Sequence, residues 1–560
     1  MRETFPPASR RTCVDRALGR ETADTLFSNA CLFDPFTCDW VETDIAVSGG
    51  WVVGTGKGYR AKDTCDLKGR RVVPGLIDAH VHIESSLLVP SEFARLVASH
   101  GTTTVIADPH EIANVCGAEG IEYMLRERED LPVDILLALP SCVPATPLDT
   151  GGATLTARDL APFAERDGVI GLGEVMDVPG VLGGDPQVYE KLGISRVRDG
   201  HAPLLSGREL NAYICAGIQS DHEASSLSEA REKLVRGMYV FIREGSTARN
   251  LRALVPLATS RTAPRLAFAT DDRHADHIAR EGHIDDCIRK SLEHGIELEV
   301  ALRMATLSPA ERFLLDDRGA VAPGRRADFC ILDEESPFCV KATYSRGRPA
   351  SSFPGRKPRS IGSPMEAWVP PPRELALAGS GAARVIGIVP GEILTESLVY
   401  EVDGERIPDT DRDLLKVVVC SRYRKKKAAV GIVHGFSLQE GAVAGSVAHD
   451  AHNLVAVGAD DTSIRRALSA IVRGGGGLAV VRGRETVVLP LECAGLMSLL
   501  PAEEVVRRLG SLHEVAESAG AIPGVFMYLS FLSLTVIPEL RITERGLFDA
   551  REFRDVPLFL

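Results

Sequence analysis

Eight short apolar segments recur between residues 74 and 270, and the residues between them have the spacing of amphipathic helices. Strands that alternate with helices form βαβ units and therefore a parallel sheet. Eight such units in succession indicate a closed (β/α)₈ barrel, because an open doubly wound sheet usually has fewer strands. The eight predicted strands are residues 74–82, 103–108, 134–140, 169–175, 202–206, 214–219, 238–242 and 266–270.

The segments on both sides of the predicted barrel indicate a second, smaller domain. Short strands broken by glycine turns precede the barrel, and residues 329–332 beyond it are again strand-like. We therefore predict an α/β protein with a small β-sandwich domain built from both flanks. A stretch rich in Pro, Arg and Ser marks a linker before a further α/β domain. The predicted parts are an N-terminal extension (1–23), the composite β domain (24–73 and 315–345), the barrel (74–314), the linker (346–374) and a C-terminal domain (375–560).

Charge and composition exclude several classes of partner. The net charge is −13, with a pI near 5.6, whereas binding to nucleic acid or to anionic membranes requires a basic face. The twelve cysteines are scattered without a Cys-x-x-Cys pair, which is typical of reduced thiols rather than of a secreted disulfide framework. No apolar run approaches the length of a membrane span, and no targeting segment is recognised. We expect a cytoplasmic location.

A His-x-His pair, His80 and His82, lies at the end of the first predicted barrel strand. Residues i and i+2 of a strand point to the same side, so both imidazoles project together, as ligands of one metal must. By itself the pair is equally consistent with two ordinary polar residues at a strand end. Active sites of such barrels lie at the carboxyl ends of the strands, and this position favours metal binding.

Four more potential ligands occur near the ends of later predicted strands. Any one of them alone would more often be a polar residue with ordinary hydrogen bonds. Together with the His-x-His pair, however, six histidines and carboxylates converge on one barrel mouth, and this convergence favours a metal centre. The four residues are Glu174, His201, His222 and Asp271, and Asp272 directly follows the last of them.

Several longer motifs resemble the amidohydrolase superfamily and, within it, the adenine deaminases. The resemblance covers nearly the whole chain from about residue 25, including the C-terminal domain. The first motif and the one beginning at residue 446 are long enough to be specific. The motifs are PGLIDAHVHIESS (74–86), DPHEIANV (108–115), SDHE (220–223), TDDR (270–273), APGRRAD (322–328), SVAHDAHN (446–453), AGLMS (494–498) and FLSL (531–534).

The resemblance implies a binuclear metal centre. It assigns His80 and His82 to one ion and His201 and His222 to the other, with Glu174 as the bridge. Asp271 would complete one ion and act as general base, and because Asp272 is adjacent, a shift of one residue stays open. Histidine and carboxylate ligands suit Mn²⁺, Fe²⁺ or Zn²⁺, and the resemblance favours Mn²⁺ or Fe²⁺. A mononuclear centre is also compatible with the spacing, although no carboxylate follows His201 in residues 202–205.

The implied reaction is the hydrolysis of adenine to hypoxanthine and ammonia, a step of purine salvage. A metal-activated hydroxide would attack C6, and Asp271 together with Glu174 would form the catalytic pair of carboxylates. Candidate residues for binding the purine follow the first, second and eighth strands, but loop or helix capping explains them equally well. These candidates are Glu84, Asp108, His110, Glu111 and Asp272.

Three alternatives stay open at the level of the sequence. The enzyme could act on another aminopurine or on a cyclic amide, although Glu174 stands where hydantoinases have a carbamylated lysine. The barrel could also be a metal-free binding scaffold, but degenerate barrels lose ligands first and all six are present. Family resemblance also implies a homodimer, and the role of His449, Asp450 and His452 stays unassigned.

Overall fold

A computed structural model of the chain describes residues 7–333, 337–366, 368–424 and 427–560. Residues 1–6 of the predicted N-terminal extension lie outside the described part, and residues 7–23 contain helix α1 (Pro7–Ala17). Five strands follow before the barrel. They are β1 (Ala23–Asp34), β2 (Asp39–Ser48), β3 (Trp51–Thr55), β4 (Ala61–Asp66) and β5 (Arg71–Pro74).

Eight parallel strands form the barrel. Five pair in the order β10-β9-β8-β7-β6 and three in the order β11-β12-β13. Backbone hydrogen bonds join the two groups, because Asp271 N–H donates to the His80 carbonyl (3.0 Å) and Gln219 N–H donates to the Arg198 carbonyl (3.3 Å). The predicted barrel is confirmed. Its strands are β6 (Leu76–Val81), β7 (Thr102–Ala107), β8 (Asp134–Leu139), β9 (Val169–Val175), β10 (Arg198–Gly200), β11 (Ser220–Asp221), β12 (Tyr239–Arg243) and β13 (Leu266–Ala269).

Helices surround the barrel and cover the outer face of its strands. Most of the strand residues are buried, as expected when a parallel sheet is covered on both faces. A buried cluster of side chains from β6, β7, β8, β12 and β13 fills the centre. The helices are α2 (Pro90–Ala98), α3 (His110–Cys116), α4 (Ala118–Glu127), α5 (Ala157–Ala164), α6 (Val178–Gly183), α7 (Pro186–Leu192), α8 (Gly207–Cys215), α9 (Leu227–Val235), α10 (Leu251–Leu254), α11 (Ala275–Glu281), α12 (Ile284–Glu293), α13 (Leu298–Ala305) and α14 (Leu307–Arg312).

Two of the eight predicted strand positions are wrong. The fifth strand is β10 rather than residues 202–206, and the sixth is β11 rather than residues 214–219. Both real strands are short and carry the buried polar residues Asp199 and Ser220, so they lack an apolar signal. The apolar run after His201 lies in the barrel mouth instead, where Leu204 is 72% exposed.

After the barrel the chain returns to the first sheet through β14 (Phe329–Leu332), β15 (Val340–Ser345) and β16 (Arg348–Pro349). The strand order is β16-β15-β14-β5-β1-β2-β3, and β4 pairs with the first half of β1. Both flanks therefore contribute to one sheet, as expected for a composite domain. Phe27, Phe329 and Tyr344 pack at its core, with ring centroids 4.8–5.1 Å apart. The exact domain boundaries stay predictions.

The C-terminal region contains a mainly antiparallel sheet of eight strands in the order β18-β17-β20-β19-β22-β21-β23-β24, followed by a small three-stranded sheet. Its elements are β17 (Ser380–Ile388), β18 (Thr395–Asp403), β19 (Leu415–Cys420), β20 (Ala428–His434), β21 (Ala442–Gly445), β22 (Leu454–Gly458), α15 (Asp461–Arg473), β23 (Gly477–Arg482), β24 (Glu485–Pro490), α16 (Ala502–Ser518), α17 (Val525–Phe531), β25 (Leu540–Thr543), β26 (Gly546–Asp549) and β27 (Arg554–Val556). In the described ranges, every helix is too short or too polar to span a membrane.

The C-terminal region packs on the side of the barrel where the strands end. Ser498 N–H donates to the carbonyl of Leu87, in the loop after the first strand (2.8 Å). His449 contacts Glu111 at the start of α3, at the end of the second strand. This packing brings residues from the last third of the chain next to the barrel mouth.

Candidate metal centre

His80 and His82 project together into the barrel mouth, as predicted. Their Nε2 atoms lie 3.1 Å apart. The His82 Nδ1–H donates to the carbonyl oxygen of Asp108 (3.0 Å), and the His80 Nδ1–H donates to the carboxylate of Asp199 (2.8 Å). Since both ring protons lie on Nδ1, the two Nε2 lone pairs face one another. Two lone pairs at this distance repel each other unless a positive charge lies between them. The two histidines therefore fit a metal ion.

Glu174, at the end of β9, lies between two pairs of histidines. Its Oε1 is 3.2 Å from His82 Nε2. Its Oε2 is 2.8 Å from His201 Nδ1 and 3.4 Å from His222 Nε2. Each carboxylate oxygen thus faces a different pair of imidazoles, which is the arrangement of a ligand shared by two ions.

Asp271, which follows β13, completes the ring of ligands. Its Oδ1 lies 3.1 Å from His82 Nε2, and its Oδ2 accepts a hydrogen bond from Arg243 Nη1 (2.7 Å). The backbone of Asp271 has φ 56°, a left-handed conformation that few residues other than glycine, asparagine and aspartate adopt readily. Backbone hydrogen bonds to the first strand hold it there. Asp272 also lies at this pocket, with a carboxylate oxygen within 4.8 Å of ligand atoms of His82 and Asp271, and its Oδ1 accepts from Ser85 Oγ.

The electrostatics of the mouth favour bound cations. Burial alone would raise the pKa of Glu174 and lower that of His222, but their mutual contacts outweigh burial. The pKa of Glu174 lies well below its ordinary value, and the pKa values of His82 and His222 lie well above theirs. The buried carboxylates therefore stabilise positive charge, which divalent ions supply in place of protons. All six predicted ligands are at most 7% exposed.

Several groups of side chains could each hold a metal ion, with ligand atoms within 4.8 Å of one another, and these include three overlapping groups drawn from the six predicted ligands. Two of these groups share Glu174, and the third joins His80 and His222 to Asp271. The structure thus brings all six sequence-predicted ligands into one cluster. The groups are His80, His82 and Glu174; Glu174, His201 and His222; and His80, His222 and Asp271.

The predicted purine-binding residues divide into two sets. Glu84 and Asp108 turn into the protein, because Glu84 Oε1 accepts from the Ile112 N–H (3.1 Å) and Asp108 Oδ2 accepts from the Glu174 N–H (2.9 Å). His110, Glu111 and Asp272 line the pocket above the metal ligands.

Glu111 is occupied by two histidines of the C-terminal domain. His449 Nδ1 contacts Oε1, and His452 Nε2 contacts Oε2. The Ala448 N–H donates to His452 Nδ1 (3.2 Å), so the ring proton of His452 lies on Nε2. Glu111 thus accepts from His452 and ties the two domains together. The previously unassigned histidines therefore hold the C-terminal domain on the barrel.

Sequence reasoning gave no role to four polar residues near the pocket, which are Asp199, Glu223, Arg243 and Asp450. Arg243, at the end of β12, binds both Glu223 and Asp271. Asp199 orients His80 and was hidden by the misplaced fifth strand. For Arg243, the signal in the sequence is its position as a charged residue at the end of an apolar strand. The motif SVAHDAHN includes Asp450 but gives it no role, and the residue reaches the pocket from a different domain.

Residues of the C-terminal domain form a roof over the metal ligands. Most are apolar, and Met176 of the barrel adds to them. A polar floor beneath an apolar roof is typical of sites for flat heterocycles. Asp450 is the exception in the roof, since it is 6% exposed and its Oδ2 has no hydrogen-bond partner. The apolar roof residues are Ile393, Phe531, Leu534, Val536 and Ile537.

Barrel and ligand cluster together define a metal-dependent hydrolase of the amidohydrolase class, and the model of the Amidohydrolase family matches residues 71–350. The model of the Adenine deaminase C-terminal domain matches residues 392–554. The chain is 59% identical to an adenine deaminase from Methanoregula boonei, over 99% of both chains. It is 63% identical to one from Methanoculleus marisnigri, over 92% of this chain and 99% of that one. The chain belongs to the adenine deaminase family.

Among solved structures, N-acetyl-D-glucosamine-6-phosphate deacetylase from Mycobacterium smegmatis is 19% identical, with a TM-score of 0.46. It covers 58% of this chain and 99% of its own. The family resemblance drawn from the motifs is confirmed by the full-length relatives. So is the predicted enzyme class, a hydrolase that acts on adenine.

Proposed function

We propose that the cluster around Glu174 is the site at which the chain hydrolyses adenine to hypoxanthine and ammonia, as a step of purine salvage. The observation that carries this assignment is the position of Glu174, whose two oxygens face different pairs of histidines. His80 and His82 would hold one divalent ion, and His201 and His222 the other. Bound there, the ions would make hydroxide available from water near neutral pH.

Asp271 is the proton-transfer group. Arg243 occupies its Oδ2, while Oδ1 faces the imidazole pair where the nucleophilic water would lie. A carboxylate in this position accepts the proton of the water and delivers it to the departing amino nitrogen. Because Oδ1 of Asp272 accepts a hydrogen bond from Ser85 Oγ, the side chains support the assignment to Asp271 over its neighbour.

The purine would lie between the polar floor and the apolar roof. His110, whose Nδ1 is 3.5 Å from Glu174 Oε1, lies beside the reacting end of the ring. Asp450 lies beyond it, with Oδ1 3.9 Å from His110 Nε2. Its unpartnered oxygen can accept the N9–H of a free purine base. A ribose on N9 removes this donor and meets the roof, so the pocket favours adenine over adenosine.

Ammonia release from adenine, adenosine and hydantoin tests the substrate. We expect turnover of adenine and little or none of the other two. Equal rates on adenosine, or activity confined to hydantoin, would overturn the proposal. The variant Asp450→Asn should raise the KM for adenine more than it lowers kcat, because Asp450 is assigned to binding and not to proton transfer.

Elemental analysis tests the metal centre. Two equivalents of transition metal per chain are expected, and Mn²⁺ is the proposed ion because mixed histidine and carboxylate ligands suit it. His80→Ala should lose metal and activity while the barrel still folds, since the residue lies at the mouth. Active protein without transition metal would contradict the assignment.

A cytoplasmic homodimer is the proposed state of the enzyme. The twelve cysteines are all free thiols in the structure, which supports a reducing compartment. The dimer is supported only by the resemblance to the family. Sedimentation velocity of the purified protein tests it, and a single species of monomer mass would refute it.

A further inference from the structure

A second cavity, of about 410 Å³, lies at the end of the barrel opposite the metal ligands. Its walls come from the amino ends of β10 and β12, from residues preceding β11 and β13, and from the end of α14. A cavity of this size accommodates a small organic ligand. No part of the proposed reaction uses it.

Three guanidinium groups line this cavity without a carboxylate ion pair among the described residues. Arg198 donates its Nε to the Leu192 carbonyl (2.6 Å), and Arg265 donates only a long hydrogen bond to a carbonyl. Arg312, the third, is 4% exposed. Positive charge without a paired carboxylate is unexpected in a chain whose net charge is −13.

Arg312 forms the inner wall and retains an unused donor. Its Nη2 donates to Ser220 Oγ (2.6 Å) and to the Arg198 carbonyl (2.8 Å). Its buried Nε has no hydrogen-bond partner. Burial lowers the pKa of Arg312, and the charge of Arg265 lowers it further, whereas Asp199 partly offsets these effects. A buried cation beside a second cation costs free energy that an anion in the cavity would recover.

The other polar groups that line the cavity do not compete with an anion for the three arginines. Glu311 is the one carboxylate in the lining, and its Oε2 accepts from Arg303 Nη2 (3.1 Å). The ring of Tyr239 lies beneath Arg265, with the guanidinium carbon 4.6 Å from the ring centroid. This stacking holds Arg265 at the entrance.

We propose that this cavity, which we name the basal cavity, binds a small ligand through a phosphate group. Guanidinium groups match the geometry of phosphate oxygens and bind them with charge-assisted hydrogen bonds. The volume allows either inorganic phosphate or the phosphate of a nucleotide to enter. The site is separate from the metal centre, so its occupation does not depend on the identity of the substrate.

Isothermal titration calorimetry of the full chain with inorganic phosphate, pyrophosphate and AMP tests the proposal at low ionic strength. We expect saturable binding of one ligand per chain. Tighter binding of AMP than of phosphate identifies a nucleotide site, and equal affinity identifies a site for the phosphate group alone. Removing one charge-assisted contact in Arg265→Gln or Arg198→Gln should weaken binding about tenfold.

Arg208→Gln is the matched control, because Arg208 is an exposed arginine at the opposite end of α8 from the cavity residue Ile214. Its affinity should equal that of the wild type. Arg265 is exposed, so its substitution should leave the fold intact. Absence of saturable binding by all three probes overturns the proposal, as does unchanged affinity in the Arg198→Gln, Arg265→Gln double variant.

Discussion

The two oxygens of Asp271 have different partners, and this asymmetry is the basis of its proposed role. Asp271→Asn should keep much of the metal, because four histidines and Glu174 remain. An amide cannot accept the proton of the nucleophile, so we expect kcat to fall about 10²–10⁴-fold. Burial raises the pKa of Asp271, but Arg243 and His82 outweigh it and hold that pKa well below its ordinary value. Steady-state kinetics with metal analysis measure both effects.

Asp272→Asn is the matched control for this prediction. Its carboxylate accepts from Ser85, so the variant should retain more activity than Asp271→Asn. If Asp271→Asn is near the wild-type rate while Asp272→Asn is inactive, Asp272 is the base. If both variants are fully active, neither aspartate transfers the proton.

Asp199 would act on the proposed metal ion through His80. One oxygen accepts from His80 Nδ1, and the other accepts from Ser220 Oγ. A carboxylate behind a ligating imidazole fixes the ring and increases its basicity, so Asp199→Asn should weaken metal binding about 10–100-fold. Titration of the metal-depleted protein with Mn²⁺ measures this change. Asp177→Asn, which makes the same change at a helix N-cap after β9 and keeps an oxygen there for the Gly180 N–H, should leave metal affinity unchanged.

An equal metal affinity in Asp199→Asn and the wild type would show that Asp199 serves only the packing of the barrel. A lower melting temperature without a change in metal affinity would support the same conclusion. The two readouts therefore separate a positioning role from a purely structural one.

At the scale of elements, an ion network ties the barrel to the segment that returns to the β domain. Asp134, the first residue of β8, accepts hydrogen bonds from Arg318 (2.9 Å) and from Arg326. Asp134→Ala would leave both largely buried guanidiniums without this partner. We expect a loss of about 3 kcal/mol of stability, measured by denaturant unfolding at pH 7.

The pH dependence of this effect has a defined sign. Burial raises the pKa of Asp134, but the neighbouring arginines outweigh it, so the folded pKa lies below the usual 3.8. The stabilisation is therefore present above about pH 4 and is lost as the pH falls through the folded pKa. The difference between wild type and Asp134→Ala should shrink in that range. Asp167→Ala is the control, because its carboxylate, which pairs with Arg128, is 88% exposed and the pair contributes little.

The barrel strands show how far the sequence predicts elements. Six of them contain several apolar residues, and their positions follow from that pattern. The two short strands, β10 and β11, carry Asp199 and Ser220 instead. These buried polar residues are satisfied by partners on distant parts of the chain, such as His80 and Arg312, which no local pattern contains.

At the scale of the whole molecule, Arg541 shapes the roof over the metal centre. This fully buried side chain donates to the carbonyls of Ile537 (2.7 Å), Phe531 (2.8 Å) and Ile393 (2.8 Å). The same three residues line the pocket with their side chains. Arg541 therefore fixes the positions of the apolar groups that would cover the purine.

Arg541→Lys should disturb this roof, because an ammonium group lacks the planar fork that reaches three carbonyls. We expect the KM for adenine to rise about tenfold with a smaller change in kcat, since roof contacts hold substrate and transition state alike. Metal content should not change. Arg545→Lys, in the adjacent hairpin turn and paired with Asp555, is the control and should keep the wild-type KM. An unchanged KM in both variants would contradict this role of Arg541.

The sequence by itself determined the class of fold and the identity of the candidate ligands. Apolar periodicity is a local property, and the ends of parallel barrel strands meet at one mouth whatever the details of packing. For this reason His80, His82 and Asp271 could be placed together from their positions alone. The motifs then identified the family, which the full-length relatives confirm.

Only the tertiary structure decided which polar residues face the pocket. Glu84 and Asp108 follow strand ends just as His110 does, yet they turn inward to backbone N–H groups. Asp450 reaches the same pocket from another domain. Side-chain direction depends on partners distant in sequence, because each buried donor or acceptor must be satisfied wherever the fold supplies a match. The order of residues along the chain does not reveal these partners, because they come together only when the domains pack.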